Sequence, residues 1–171
     1  MVQTLGITSL VIGSPYSLKD SQHLYMMDFD GIKDIALILE EALRIHKRWD
    51  IDTYVYQSSV DGFHMNSFDI LPARLVQSIQ ADCRYETDYP LINERMVDKF
   101  LTLRCWTKLK KRPPRFVGRF CEPNRWLKSA AHYVLYKAIA DLGDAPEWYK
   151  KCWYETDLYF ASYNTKHRVN E

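Results

Sequence analysis

The chain has 171 residues, enough for one domain with a substantial core and too few for two full ones. Hydrophobic residues make up 47% and charged residues 26%, which excludes a largely disordered or fibrous protein, and no run approaches the ~20 apolar residues a membrane helix needs. The net charge of +1 conceals an asymmetry: the segment from Lys99 to Cys121 holds eight basic residues and no acidic one, so the remainder carries 15 basic against 22 acidic residues. A basic segment on an acidic body is the kind of local feature that attracts phosphates.

Cys83, Cys105, Cys121 and Cys152 form no CxxC pair and no closely spaced His/Cys cluster, so they read as reduced core thiols rather than zinc ligands. The opening MVQTLGITSLVIGSPYS lacks a charged leader followed by a long apolar stretch. The expected location is cytoplasmic, with no membrane partner.

In chain order, residues 23–30, HLYMMDFD, read as a strand ended by Gly31. Ile32, Ile35, Ala36, Leu39, Leu43 and His46 then recur at helical spacing, with Glu40, Glu41 and Arg44 for the wet face. IDTYVYQSS and GFHMNSF are two strands joined at Val60-Asp61-Gly62. The order so far is β-α-β-β. LPARLVQSIQ reads as a short helix capped by Asp69, with Pro72 in its first turn. Strands follow at KFLTLRCW and RFVGRF around the basic turn KLKKRPP. A helix is expected from Glu122 to Asp141, burying Trp126, Ala130, Tyr133, Val134 and Ala138 and ending at Gly143; YETDLYFASY reads as one more strand. No linker or repeat divides the chain, so residues 1–171 are expected to form a single domain.

Two groups of residues can carry chemistry. Asp28 and Asp30 lie two apart on a strand, so both carboxylates face one side and Phe29 the other. Two hard oxygen ligands at one point suit Mg²⁺, which completes its shell with waters and substrate phosphates. In Tyr56-Gln57-Ser58-Ser59-Val60-Asp61-Gly62-Phe63-His64, Gly62 allows close backbone approach, the serines offer hydroxyls and His64 can donate to a phosphate. His64 and Asn66 share a strand face by alternation.

MMDFD followed by SSVDGFH resembles the first two signatures of the archaeo-eukaryotic primase superfamily, a strand-borne DxD and a Ser…Gly-x-His. The third signature, an Asp followed downstream by Leu-Arg and a basic residue, is matched by Asp88 in YETDYP with Arg104 and Lys108 in TLRCWTK; Asp82 and Asp98 are alternatives for the Asp. The resemblance covers roughly residues 23–110. It implies an α+β fold: an RRM-like β-α-β-β sheet core with packed helices and a second small α/β unit.

It also implies a DNA-directed nucleotidyltransferase of primase or polymerase type. Asp28, Asp30 and Asp88 would hold two Mg²⁺ or Mn²⁺ ions, one activating a 3′-hydroxyl and one steadying the leaving pyrophosphate. Ser58, Gly62, His64, Arg104 and Lys108 would bind the triphosphate, and Lys110, Lys111, Arg112 and Arg115 the single-stranded or template DNA. Partners implied are nucleoside triphosphates, DNA, and a helicase or accessory priming subunit. Two other readings stand beside it. MMDFDGI also resembles the DxDG opening of haloacid-dehalogenase-type phosphohydrolases, with Asp28 as nucleophile, although Ile32 stands where Thr or Ser is usual. The third is a catalytically degenerate nucleic-acid-binding module.

Overall fold

The computed structural model describes residues 6–85, 102–104 and 114–132. It is a mixed α+β structure whose sheets are antiparallel. The strands β1 (Gly6–Thr8), β2 (Leu10–Ile12) and β3 (Gln22–His23) precede β4 (Met26–Asp30), which leads into helix α1 (Ile35–Trp49). Then come β5 (Thr53–Gln57), β6 (Gly62–Asn66), β7 (Leu71–Pro72) and helix α2 (Ala73–Ala81), and finally β8 (Thr102–Arg104) and β9 (Arg115–Phe120). The central sheet has the order β4-β6-β5-β9, while β2-β3-β7 and β1-β8 form two smaller sheets.

The expected β-α-β-β run is present, with β6 inserted between β4 and β5. Strand alternation sorts the central sheet into two faces. Met27, Phe29, Val55, Phe63 and Met65 form one face and pack with Ile38, Ala42 and Ile45 of α1 and Val76 and Ile79 of α2 into the core. The opposite face carries Asp28, Asp30, Gly62, His64, Asn66, Tyr54 and Tyr56. Placing both helices behind the sheet leaves the acidic residues on the other side.

Several expected boundaries shift for identifiable reasons. The strand expected over 23–30 is divided between β3 and β4, because Leu24 N donates to Ser9 O while Tyr25 O accepts from Ser67 N, each tying the chain to a different neighbour. Helix α1 starts at Ile35, since the Asp34 carboxylate accepts from Ala36 N as a cap, and it stops where Asp50 adopts φ 53°. Its buried stripe is Ile38, Glu41, Ala42, Ile45 and His46, whereas Ile35 is exposed. Glu41, expected on the wet face, is buried because Arg44 Nε and Nη2 and the Arg84 amide all donate to its carboxylate, holding it ionised and below the usual carboxylate range against the opposing effect of burial.

Asp69 does not cap α2. Pro72 occupies the cap position without a side-chain bond. The Asp69 carboxylate is instead fully buried, accepting from Asp52 N, Asn124 Nδ2 and Lys128 Nζ. The helix expected from Glu122 begins later: residues 121–129 are non-helical and helical conformation starts at 130. Asn124 Oδ1 accepts from Trp126 N in a local turn, and Lys128 bridges to Asp69, so this stretch is held by bonds a helix would break. Ala130, expected to be buried, is exposed. Expected features at Tyr133–Ala138, Gly143 and 154–163 lie outside the described residues.

Candidate functional site

The two motifs meet because β4 and β6 are antiparallel neighbours. Their register pairs Asp28 with His64 and Asp30 with Gly62. Cross-strand partners point to the same face, so the DxD carboxylates and the Gly-x-His hairpin lie side by side. His64 Nε2 is 3.5 Å from Asp28 Oδ1. His64 is buried, Asp28 is half-buried and Asp30 is exposed. The pair thus runs from the sheet interior to its rim.

Gly62 shapes this contact. A Cβ there would lie 2.6 Å from Ser59 Oγ, 2.9 Å from Ser58 Oγ and 3.0 Å from Asp30 Oδ1. The missing side chain therefore lets two hydroxyls and a carboxylate gather over one backbone position. The loop is fixed by Ser58 N and Ser59 N donating to Gly62 O, and by Ser59 Oγ donating to Asp61 Oδ1. On the other side, Gly31 at φ 79° turns the chain sharply out of β4, and Ile32 N donates to Asp61 O, joining the two strand ends.

The donor chemistry suits a hard divalent cation: two carboxylates on one strand face, one of them open to solvent and able to leave coordination positions for water or phosphate. Among the described residues, no group of three or more His, Cys, Asp or Glu is placed to hold a metal ion. Asp82, one alternative for the third carboxylate, is engaged elsewhere. It accepts from Arg44 Nη1 and Trp49 Nε1 and pairs with Arg48, all on α1 behind the sheet, and these partners lower its pKa despite the opposing effect of burial. Asp88 and Asp98 lie outside the described residues, as do Lys108, Lys110, Lys111 and Arg112.

Arg104 belongs to β8, paired with Gly6 in a separate two-stranded sheet. Arg115 is exposed on β9, at the opposite edge of the central sheet from β4. Of the cysteines, Cys83 and Cys121 are free and half-buried, with burial pushing their thiols up to about 11 and about 12. Burial thus favours the neutral thiol form of both. The sequence offered both serine hydroxyls but assigned only Ser58 to the triphosphate, whereas Ser59 Oγ is the nearest group to the Gly62 gap, and it gave Asn66 no role, although strand alternation already put it on the face of His64. No helix among the described residues is long and apolar enough to cross a membrane. Comparison with known proteins yields no matching family model, no matching curated protein and no matching solved structure.

Proposed function

We propose that the chain is a metal-dependent nucleotidyltransferase core resembling a primase-polymerase, adding nucleotides from NTP or dNTP to a DNA-directed strand. The observation that carries this reading is the register of β4 on β6, which pairs Asp28 with His64 and Asp30 with Gly62. Two sequence motifs separated by a whole helix and strand thereby become one surface. A β-α-β-β unit with its third strand between the first two also suits an RRM-like core, here extended by β9 beside β5.

In this reading Asp28 and Asp30 hold Mg²⁺ or Mn²⁺, with Asp88 as the third carboxylate. Bound there, the ions supply activation of an attacking 3′-hydroxyl and neutralisation of the leaving pyrophosphate. His64, Ser58 and the Gly62 backbone grip the triphosphate, joined by Arg104 and Lys108. Lys110, Lys111, Arg112 and Arg115 track the DNA backbone, and a helicase or accessory subunit delivers the template. Phosphoaspartate chemistry at Asp28 gives the Gly62-x-His64 hairpin no task, yet that hairpin supplies the cross-strand partners of both aspartates, with His64 Nε2 3.5 Å from Asp28 Oδ1.

The test is primer extension with ribo- and deoxyribonucleotides, with and without a primer, under varied Mg²⁺ and Mn²⁺. Asp28→Asn and Asp30→Asn are expected to abolish metal-dependent incorporation. His64→Ala is expected to keep the fold and lower nucleotide use on the order of ten- to a hundredfold, the equivalent of losing a charge-assisted hydrogen bond worth about 1.5–3 kcal/mol. Normal incorporation by folded His64→Ala, or none by the wild type, would refute the reading.

A further inference from the structure

Asn66 is fully buried at the end of β6, and among the described residues neither its Oδ1 nor its Nδ2 has a hydrogen-bond partner. Other buried polar side chains are paired: His23 lies between Ser9 Oγ and Ser21 Oγ, Gln80 Nε2 donates to Met26 O, and Thr53 Oγ1 donates to Ala42 O, whereas the hydroxyl of Tyr54, the register neighbour of Asn66, is likewise buried without a hydrogen-bond partner among the described residues. A wholly unpaired amide costs folding free energy and returns nothing to the unliganded chain. It also stands in a particular place. Strand alternation puts it on the face of Asp28, Gly62 and His64, two residues or roughly 7 Å beyond His64 along β6. Its register neighbours there are Met26 and Tyr54, the latter packed edge-on against Phe68.

We infer that Asn66 binds the nucleoside half of the nucleotide, an inference that rests on the proposed nucleotidyltransferase reading of the same face. An amide is uncharged and presents two donors beside an acceptor, which suits a sugar hydroxyl or a base edge rather than a phosphate. With the phosphates held at Asp28, Asp30 and His64, the sugar and base extend along β6 toward Asn66. The groups enclosing the amide must move aside as the nucleoside enters.

The experiment measures Mg²⁺-dependent affinity for ATP, dATP and inorganic tripolyphosphate, together with Tm, in the wild type, Asn66→Leu and Asn66→Ser. Asn66→Leu removes the unpaired amide at similar volume. Its Tm is expected to equal or exceed that of the wild type, tripolyphosphate affinity to be unchanged, and nucleotide affinity to fall roughly tenfold. Asn66→Ser, which keeps a donor and an acceptor, is expected to lose less nucleotide affinity than Asn66→Leu. A loss confined to ATP identifies the 2′-hydroxyl as the contact; equal loss for ATP and dATP identifies the base edge or 3′-hydroxyl. Unchanged nucleotide affinity, a parallel loss of tripolyphosphate, or a fall in Tm would overturn the inference. If the wild type binds neither nucleotide, the functional reading falls with it. If the wild type binds and Asp30→Asn does not, an unaffected Asn66→Leu removes the Asn66 inference alone.

Discussion

Gly62 shows how one missing side chain organises a site. The three atoms nearest to a methyl group at this position are Ser59 Oγ, Ser58 Oγ and Asp30 Oδ1, all of them ends of side chains that can rotate away. Gly62→Ala is therefore expected to leave stability within about 1 kcal/mol of the wild type, because alanine also loses less backbone entropy than glycine in a strand. The hydroxyls and the carboxylate would still have to separate. Metal-dependent nucleotide binding should weaken while Tm stays nearly constant, and calorimetric titration beside thermal melts would separate the two effects. Equal losses in both would mean that Gly62 is needed for the hairpin itself.

Among the elements, the non-helical stretch 121–129 is anchored to the central unit by charge rather than by apolar packing alone. Lys128, nearly inaccessible to solvent, bonds to Asp52 ahead of β5 and to Asp69 ahead of α2. Asn124 Nδ2 donates to the same two carboxylates, at 3.2 and 3.3 Å. The two acids favour the charged ammonium and raise the Lys128 pKa against the opposing effect of burial. Lys128→Met keeps the bulk but leaves two buried carboxylates facing each other without a cation, and is expected to cost about 3–5 kcal/mol in denaturant melts. A loss below about 1 kcal/mol would show that water reaches the cluster and screens it.

For the whole molecule, two buried groups give opposite responses to acid. Burial holds His23 at about 4, below the usual imidazole value of 6.5. The unfolded chain then binds the extra proton between those values, and His23 removes stability as pH falls from about 6.5 to 4. Asp69 is raised to about 6 from 3.8, first by burial and then by Asp52, with one Lys128 ammonium unable to neutralise both acids. Here the folded chain binds the extra proton, so Asp69 adds stability as pH falls from about 6 to 4. At roughly 1.4 kcal/mol per pKa unit each contribution is on the order of a few kcal/mol, and across that window they oppose each other. Asp69→Asn removes one side of the balance. Its stability is expected to fall more steeply on acidification from pH 6.5 to 4 than that of the wild type, as read from urea melts; parallel pH profiles would contradict the assignment.

Strand alternation in MMDFD and GFHMN, the turn at Gly31 and the β-branched run TYVYQ were enough to place β4, β5 and β6 and to put Asp28, Asp30 and His64 on definite strand faces, because a period of two is a local property of the backbone. The helical period likewise located α1, although not its buried face: Glu41 is buried through its bonds to Arg44 and the Arg84 amide, the latter far along the chain. The short strands β1, β2 and β7 lack a pattern long enough to register, and they exist only as partners of β8 and β3. Asp69 carried a plausible capping signal that a buried lysine 59 residues away overrode. What the tertiary structure alone decided was register: the pairing of β4 with β6 that sets Asp28 against His64 and leaves Asn66 buried without a partner depends on which strands become neighbours, a choice made by burying the apolar residues Phe29, Phe63 and Met65 against α1 and α2 and not by the polar residues Asp28, Asp30 and His64.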